Sequence, residues 1–213
     1  MSRQYSHVLW DWNGTLFDDL WWCMRTINDM LRRRRLPQLE TKAYYHRAFC
    51  FPIIDYYRNV GFDFEQESFD VLAKEYMNLY HSNATGHSGL HEYARIVMAT
   101  IQKMGMHQVI LSASRTDHLI QQVRRFDIER YLDELLGLSD IYAASKVDIG
   151  LEYMQRAHCT KAVMIGDTVH DYEVAKALGV DCLLIANGHQ SRAALNMCCV
   201  PVLSDVFEVL DYV

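Results

Sequence analysis

The fold of this chain is decided by the stretch HVLWDWNGTL, residues 7–16. A short apolar run, residues 7–11, ends in a carboxylate and is followed at once by a polar turn with a glycine. This pattern is typical of a buried strand of a parallel sheet that runs into a loop. Gly14 and Thr15 would let backbone amides approach an anion closely, as in other phosphate-binding turns. The stretch therefore predicts a ligand-binding loop at the end of the first strand.

Strands of the same kind recur along the chain and alternate with helices. Further apolar runs lie at residues 108–112, 162–166 and 181–186, with a weaker one at 200–203. Apolar positions recur at helical spacing in residues 91–104, 116–126, 147–158 and 170–178. Alternating strands and helices of this length predict an α/β fold, with a Rossmann-like parallel sheet covered by helices on both faces.

Residues 18–87 interrupt this alternation. They contain helical patterns near 19–35, 40–48, 52–60 and 65–81 and no convincing strand, and the Gly86–Gly89 stretch is typical of a return hinge. We therefore expect an α/β core domain of residues 1–17 and 88–213 and an inserted helical cap domain of residues 18–87. An insertion that leaves the carboxyl end of a strand lies over the sheet edge where open α/β folds bind ligands.

The composition indicates a globular protein of the cytoplasm. The chain has 213 residues with 50% hydrophobic content, which is sufficient for a sizeable core. Its net charge of -6 disfavours binding to nucleic acid or to an anionic membrane. No signal-peptide pattern is present, and no stretch approaches the roughly 18 apolar residues that span a bilayer. Six scattered cysteines without a CxxC pair disfavour a zinc site and indicate reduced thiols.

One basic cluster, Arg32–Arg35, stands out in this acidic chain. We expect it to be a solvated helix end, since arginines suit the negative pole of the helix dipole. A clamp for phosphate or carboxylate that faces an active site is the alternative interpretation.

Polar residues follow three of the predicted strands at the points where these strands end. Asp11 ends the first, Ser112 ends the second, and Asp167 and Asp171 follow residues 162–166. The carboxyl ends of parallel strands lie along one edge, so these side chains can converge. Buried carboxylates need a partner, and three oxygen ligands with open positions suit magnesium. Lys146, which precedes a helix, would keep the carboxylates ionised and neutralise phosphate charge.

Each of these residues has a simpler explanation when it is considered alone. Turn chemistry explains the glycine-containing loop, Ser112 could merely end a strand, and Lys146 could lie on the surface. Asp171 could favour the helix dipole, and His170 is expected to be exposed rather than catalytic. The order of the set along the chain, around an inserted helical segment, is what favours a common site.

In this order the motifs resemble those of the haloacid dehalogenase superfamily, and within it the phosphoglycolate phosphatase-like branch with a helical cap. The matching segments cover nearly the whole chain: residues 11–16, Ser112 in 110–112, Lys146, 166–168 with Asp171, 175–180 and 187–191. The match is specific in the core and loose in the cap. The resemblance implies a magnesium-dependent phosphatase, a phosphoric monoester hydrolase that acts on a small phosphorylated metabolite.

The resemblance also implies a role for each matching residue. Asp11 would attack phosphorus and form an aspartyl-phosphate. Lys146 would hold this nucleophile and neutralise phosphate charge. Ser112, with Ala113 and Gly14, would bind the phosphoryl group.

The implied Mg²⁺ site is formed by four residues. Asp11 and Asp167 would bind the ion directly, the main-chain carbonyl of Asn13 would supply a further ligand, and Asp171 would assist directly or through water.

Asn13 itself departs from the family pattern, which usually places an aspartate there as general acid and then general base. An amide can do neither, although its main-chain carbonyl is unaffected. Proton transfer of this kind contributes about 10² to 10⁴ in rate. We therefore expect a slow or leaving-group-selective phosphatase, in which Asn13→Asp raises turnover. Lys146 also lacks the proline that follows it in many relatives.

Two other function classes remain open. A phospho-ligand-binding or regulatory protein that kept the fold and lost turnover is favoured by Asn13. A dehalogenase would use Asp11 without a metal, and it is disfavoured by Asp167 and Asp171, whose mutual repulsion is best explained by a cation. The residues that select the substrate are expected in the cap, where the candidates are Trp21, Trp22, Arg25, Tyr44, Tyr45, Arg47 and Arg58.

Overall fold

The computed structural model describes residues 5–82, 89–138, 145–159 and 161–213. Its main sheet contains β1 (His7–Trp10), β4 (His107–Arg115), β5 (Glu134–Leu138), β6 (Ala162–Gly166), β7 (Asp181–Ile185) and β8 (Val202–Leu203). These strands lie in the order β5-β4-β1-β6-β7-β8, and all neighbouring strands run parallel. Two further strands, β2 (Phe17–Asp18) and β3 (Gly89–Leu90), form a separate antiparallel pair. The predicted α/β class with a parallel sheet is confirmed.

The α-helices of the described residues fall into two groups by their position along the chain. Those of the insertion are α1 (Leu20–Arg33), α2 (Lys42–Ala48), α3 (Ile53–Asn59) and α4 (Phe69–Ser82). Those that accompany the main sheet are α5 (Ala94–Lys103), α6 (Thr116–Arg125), α7 (Lys146–Arg156), α8 (Val169–Leu178) and α9 (Arg192–Asn196). None of the described helices is both long and apolar enough to cross a membrane.

Alternate side chains of the sheet enter two different hydrophobic clusters. Trp10 and Ile110 belong to one cluster, whereas their chain neighbours Leu9 and Leu111 belong to the other. This alternation follows from the two-residue period of a strand. Because each face of the sheet carries its own cluster, the sheet is covered on both sides.

The insertion has a hydrophobic core of its own. Buried side chains from all four of its helices form this third cluster, among them Ile27, Met30, Tyr45, Tyr57 and Leu72. The four helices of the insertion therefore pack against one another. The division into domains at residues 17–18 and 87–88 stays a prediction.

The arginine cluster at the end of α1 is engaged in ion pairs within the insertion. Arg33 Nη1 lies 2.8 Å from Glu75 Oε1, and Arg34 Nη2 lies 2.5 Å from Glu75 Oε2. Arg34 Nε lies 2.7 Å from Glu67 Oε2. These pairs join the end of α1 to α4 and to the loop before it, so they account for Arg33 and Arg34 without a phosphate clamp.

Three short strands do not follow from the sequence pattern. The edge strand β5 has the sequence ELLGL, which lacks polar alternation and contains a glycine. The strands β2 and β3 have two residues each, too few to show a period, and they pair Asp18 of the predicted cap with Gly89. The strands therefore form where the chain enters and leaves the insertion. Of the predicted return hinge, residues 86–88 lie outside the described residues.

The two helices that bring charged residues to the sheet edge both begin with a capping box. At α7, the Ser145 hydroxyl accepts from the Asp148 N–H at 3.2 Å, and the Asp148 carboxylate accepts from the Ser145 N–H at 2.9 Å. At α8, Thr168 and Asp171 form the same reciprocal pair. A capping box satisfies two otherwise unpaired N–H groups and sets the first helical residue. Lys146 is that residue in α7.

Replacing Ser145 by alanine is expected to lower the free energy of unfolding by about 1 kcal/mol, because the first turn of α7 loses its side-chain acceptor. The matched control is Thr100→Ala inside α5, where the hydroxyl donates to the Ile96 carbonyl of its own helix. This control should leave stability unchanged or raise it slightly. Urea unfolding measures both, and equal losses in the two variants would contradict the capping role.

Candidate active site

The residues predicted to carry the chemistry meet at the carboxyl ends of β1, β4 and β6. Asp11, directly after β1, is buried, and its N–H donates to the Ile165 carbonyl at 2.8 Å. Lys146 Nζ, also buried, lies 2.6 Å from Asp11 Oδ1 and 2.6 Å from Asp171 Oδ1. A single ammonium group therefore joins the loop after β1 to the start of α8.

Asp167 and Asp171 are held by main-chain and hydroxyl donors. Asp167 Oδ1 accepts from the Thr15 hydroxyl at 3.1 Å, and Oδ2 accepts from the His189 N–H at 2.5 Å. Asp171 Oδ2 accepts from the Thr168 hydroxyl at 2.7 Å, while Oδ1 faces Lys146. Each oxygen of both carboxylates thus has a protein donor, and the part of each residue in binding a metal stays a prediction.

The carboxylates at this edge outnumber the cations. Burial, together with Asp171 and Asp167, raises the pKa of Asp11 to about 8 despite the opposing effect of Lys146. Burial also raises the pKa of Asp167 to about 6, although His189 opposes the shift. For Asp171 burial is outweighed by Lys146, which lowers the pKa. Lys146 therefore keeps Asp171 charged, but its charge does not offset the effects that raise the pKa of Asp11.

The buried charged groups at this edge also carry an excess of negative charge. Among the described residues, this edge contains four buried carboxylates and two buried cations, namely Asp11, Asp19, Asp167 and Asp171 with Lys146 and His189. With all of them ionised, a formal charge of -2 remains, which one divalent cation would neutralise. Asp11, Asp167 and Asp171 offer oxygen atoms that all lie within 4.8 Å of one another. An all-carboxylate donor set of this kind fits Mg²⁺.

Ser112 and Ala113 lie near the end of β4, where its register against β5 shifts. Ser112 is buried, and its hydroxyl oxygen accepts from the Ser114 N–H at 3.0 Å. Ala113 is exposed. The structure thus brings these residues to the same sheet edge as Asp11, and phosphate binding by them stays a prediction.

Gly14 has a backbone conformation and a setting that exclude a side chain. Its φ is +78°, and a Cβ atom would lie 2.3 Å from Asp167 Oδ2 and 2.6 Å from His189 Cδ2. Its N–H donates to the Phe17 carbonyl at 2.8 Å and to Asp19 Oδ1 at 3.1 Å. The amide predicted to bind phosphate is therefore engaged within the loop, and the geometry favours Gly14 as the residue that permits close packing around Asp167.

The Asn13 side chain is fixed at both ends. Its Nδ2 donates to Asp19 Oδ2 at 2.7 Å, and its Oδ1 accepts from the Ser114 hydroxyl at 2.8 Å. The donor side of the amide thus faces a carboxylate and the acceptor side faces a hydroxyl. The neutral side chain is matched to its surroundings.

Sequence reasoning missed a second buried charged pair beside this loop. His189 Nε2 lies 3.1 Å from Asp19 Oδ1, and the opposite ring nitrogen, Nδ1, lies 2.9 Å from the Tyr45 hydroxyl. Cys23 lies close enough that Asp19, Cys23 and His189 each place one potential ligand atom within 4.8 Å of the others. The ion pair and the hydrogen bonds account for this grouping. The sequence signals were the acidic pair at residues 18–19, which equally fits the start of a helix, and the matching segment 187–191, to which no role was attached.

The insertion touches the core at several points near this edge. Lys42 Nζ donates to the Asn187 carbonyl at 3.2 Å, and His46 Nε2 lies 3.0 Å from the Gly188 carbonyl. The Phe51 ring stacks on His170 with centroids 4.7 Å apart. His170 thus lies at the contact with the insertion.

The candidate substrate-selecting residues divide by exposure. Trp22 and Tyr45 are buried in the insertion core, whereas Trp21 is 60% exposed and Tyr44 is 49% exposed. Arg47 lies over the Tyr44 ring, 4.5 Å from its centroid. Arg25 and Arg58 are exposed.

Comparison with known proteins agrees with this geometry. The family model of haloacid dehalogenase-like hydrolases matches residues 8–185. No curated protein matches the sequence. Among solved structures, a haloacid dehalogenase-like hydrolase from Streptococcus pneumoniae has a TM-score of 0.84 at 18% identity, covering 98% of each chain.

Two further solved structures share the fold at similarly low sequence identity. A protein described as a predicted phosphoglycolate phosphatase, from Haemophilus somnus, has a TM-score of 0.80 at 16% identity, covering 99% of each chain. Protein Tyrosine Kinase A from Mycobacterium tuberculosis has a TM-score of 0.83 at 21% identity, covering 99% of this chain and 98% of its own. At these identities the structures share the fold, and the family is shown by the sequence match over most of the chain. This chain belongs to the haloacid dehalogenase-like hydrolases.

Proposed function

We propose that this protein is a Mg²⁺-dependent phosphatase that hydrolyses a small phosphorylated metabolite through an aspartyl-phosphate on Asp11. The observation that carries the proposal is the position of Asp11, a buried carboxylate at the end of β1 that shares Lys146 with Asp171. Such a group is expensive to bury unless it has a chemical use or a further cation. Asp167, on the neighbouring strand end, completes the set of carboxylates.

Each residue has a distinct part in this reaction. Asp11 attacks phosphorus, which requires its ionised form, and Lys146 favours that form by its charge. Ser112 and the backbone at Ala113 bind the phosphoryl oxygens. Lys146 also neutralises charge on the phosphoryl group as it transfers.

The metal site would consist of Asp11, Asp167 and the main-chain carbonyl of Asn13, with Asp171 contributing directly or through water. When bound, Mg²⁺ supplies positive charge that neutralises the phosphate and the surrounding carboxylates.

Residues 18–87 serve as the cap that selects the substrate, over a core of residues 1–17 and 88–213. The contacts of Lys42 and His46 with the loop after β7 support this arrangement, since they bring the insertion over the strand ends. The Haemophilus somnus neighbour, described as a predicted phosphoglycolate phosphatase, supports a small phosphorylated substrate. The six free cysteines fit a cytoplasmic location.

Asn13 makes the reaction slow or selective for leaving groups that depart without a proton. It also favours a second candidate function, a phospho-ligand-binding or regulatory protein on the same fold. The Mycobacterium tuberculosis neighbour is a tyrosine kinase by name, so the fold alone does not restrict phosphoryl transfer to hydrolysis. Turnover of an aryl phosphate with Mg²⁺, compared with binding of the same compound, distinguishes the two functions.

Replacing Asp11 by asparagine is expected to reduce turnover by about 10³-fold or more, because the amide is not a nucleophile. The melting temperature should not fall, because the change removes one of several crowded carboxylates. The exposed Asp18→Asn is the matched control for the loss of one charge near the loop. Phosphate release and thermal unfolding are measured for all three proteins, and wild-type turnover in Asp11→Asn would exclude the covalent step.

Stability of the metal-free protein is expected to fall as pH rises from about 4 to 8. The pKa of Asp11 is raised to about 8 and that of Asp167 to about 6, so the folded state holds protons that the unfolded state has released. The pKa of His189, raised to about 9 by Asp19 against the effect of burial, acts in the same direction, because its stabilising charge is lost at high pH.

Because Mg²⁺ replaces these protons, its stabilising effect should be larger at pH 8 than at pH 5.5. Melting temperatures with chelator and with Mg²⁺ at both pH values measure the difference. A shift of equal size at both values, or no shift at all, would contradict a carboxylate metal site. Calcium serves as a control, because a rigid octahedral site should respond less to the larger ion.

A further inference from the structure

Asp19 is the N-cap residue of α1, yet its side chain does not cap this helix. An N-cap aspartate ordinarily accepts from the backbone N–H two or three residues later. Here the carboxylate, 1% exposed, instead turns toward the loop after β1. The helix forgoes a stabilising contact, so the carboxylate has another use at this position.

The Asp19 carboxylate accepts hydrogen bonds from groups that belong to separate parts of the fold. The donors are Gly14 N at 3.1 Å and His189 Nε2 at 3.1 Å on Oδ1, and Asn13 Nδ2 at 2.7 Å, Tyr80 Oη at 2.8 Å and Cys23 Sγ at 3.4 Å on Oδ2. The loop after β1, the loop after β7 and helices α1 and α4 therefore meet at one side chain. Every one of these contacts uses Asp19 as an acceptor.

Asp19 acts as an acceptor because each of its oxygens faces at least two donors, among them the main-chain N–H of Gly14. Although burial opposes the shift, His189 lowers the pKa of Asp19, and Tyr80 and Asn13 lower it further by hydrogen bonding. An ionised carboxylate offers lone pairs and no proton. The group that faces Asp19 Oδ2 from residue 13 must therefore be a donor.

We propose that Asp19 is a positioning residue that requires an amide at position 13. The carboxylate beside the loop after β1 is thus supplied by residue 19 and not by residue 13. Through Asn13 and Gly14, Asp19 holds the loop that carries Asp11 and joins it to the insertion through Tyr80. The kinetic part of this inference rests on the proposed phosphatase function, whereas the requirement for an amide does not.

An aspartate at position 13 would not fit this arrangement on its own. It would place two acceptor oxygens, both charged, at the 2.7 Å separation that Asn13 Nδ2 and Asp19 Oδ2 now have. The hydrogen bond from Ser114 would remain, because its hydroxyl donates equally well to a carboxylate. The expectation that Asn13→Asp alone raises turnover is therefore revised: the gain should need Asp19→Asn as well.

The test is a double-mutant cycle on Asn13→Asp and Asp19→Asn, with Asp18→Asn as the matched control. Asp18 is the exposed neighbour of Asp19, so its replacement makes the same charge change without touching residue 13. Each single variant should lower the melting temperature by about 5 °C, and the double variant should regain at least about half of the summed loss. The control should have the same melting temperature as the wild type. Intact mass must be checked first, because Asn13-Gly14 is prone to deamidation.

Kinetics distinguish a positioning role from a merely structural one. In the double variant residue 13 carries the carboxylate, so kcat on an alkyl phosphate should rise about tenfold or more above wild type, with KM little changed. An aryl phosphate, whose leaving group departs without a proton, should gain less. A structural role would restore stability and leave the ratio of the two rates unchanged.

The outcomes separate this inference from the proposed function. Additive losses of melting temperature, or an Asn13→Asp variant that is faster and as stable as wild type, would overturn the inference. Non-additive stability together with no turnover of any ester by any variant would uphold the requirement for an amide and refute the phosphatase.

Discussion

The constraint on which the rest of the structure depends is the burial of several carboxylates around one ammonium group. Lys146 Nζ lies 2.6 Å from both Asp11 and Asp171, and all three side chains are buried. An unpaired buried charge costs several kcal/mol, so β1, α7 and α8 must deliver these groups together. The capping boxes at the starts of α7 and α8 serve this end, since they define the helical positions of Lys146 and Asp171.

This constraint explains why much of the candidate site could be predicted from the sequence. Asp11, Ser112 and Asp167 each end or follow an apolar run, and parallel topology brings the ends of such runs to one edge of the sheet. No knowledge of side-chain contacts was needed for that step. Lys146 is different, because only its order relative to the other motifs distinguished it from a surface lysine. The structure places it with the carboxylates, and the catalytic roles themselves remain predictions.

The Asp19–His189 pair could not be predicted in the same way. The two residues are 170 positions apart in the chain, and nothing in the sequence pattern pairs one with the other. Asp19 has the sequence signature of a helix N-cap, and only the structure shows that its carboxylate makes no capping hydrogen bond to α1. The strands β2 and β3 were missed for a related reason. Two residues show no period, and they pair only because the chain enters and leaves the insertion there.

The balance of charge connects the Lys146 cluster with the Asp19–His189 pair, and it explains why residue 13 is an amide. With Asp19 ionised and paired to His189, the four buried carboxylates already exceed the two cations by the charge of one divalent ion. An additional aspartate at position 13 would leave a negative charge that one such ion could not neutralise. An amide at position 13 keeps the balance and satisfies Asp19 at the same time. The amide at position 13 and the carboxylate at position 19 thus satisfy one another, so the two residues act as one unit.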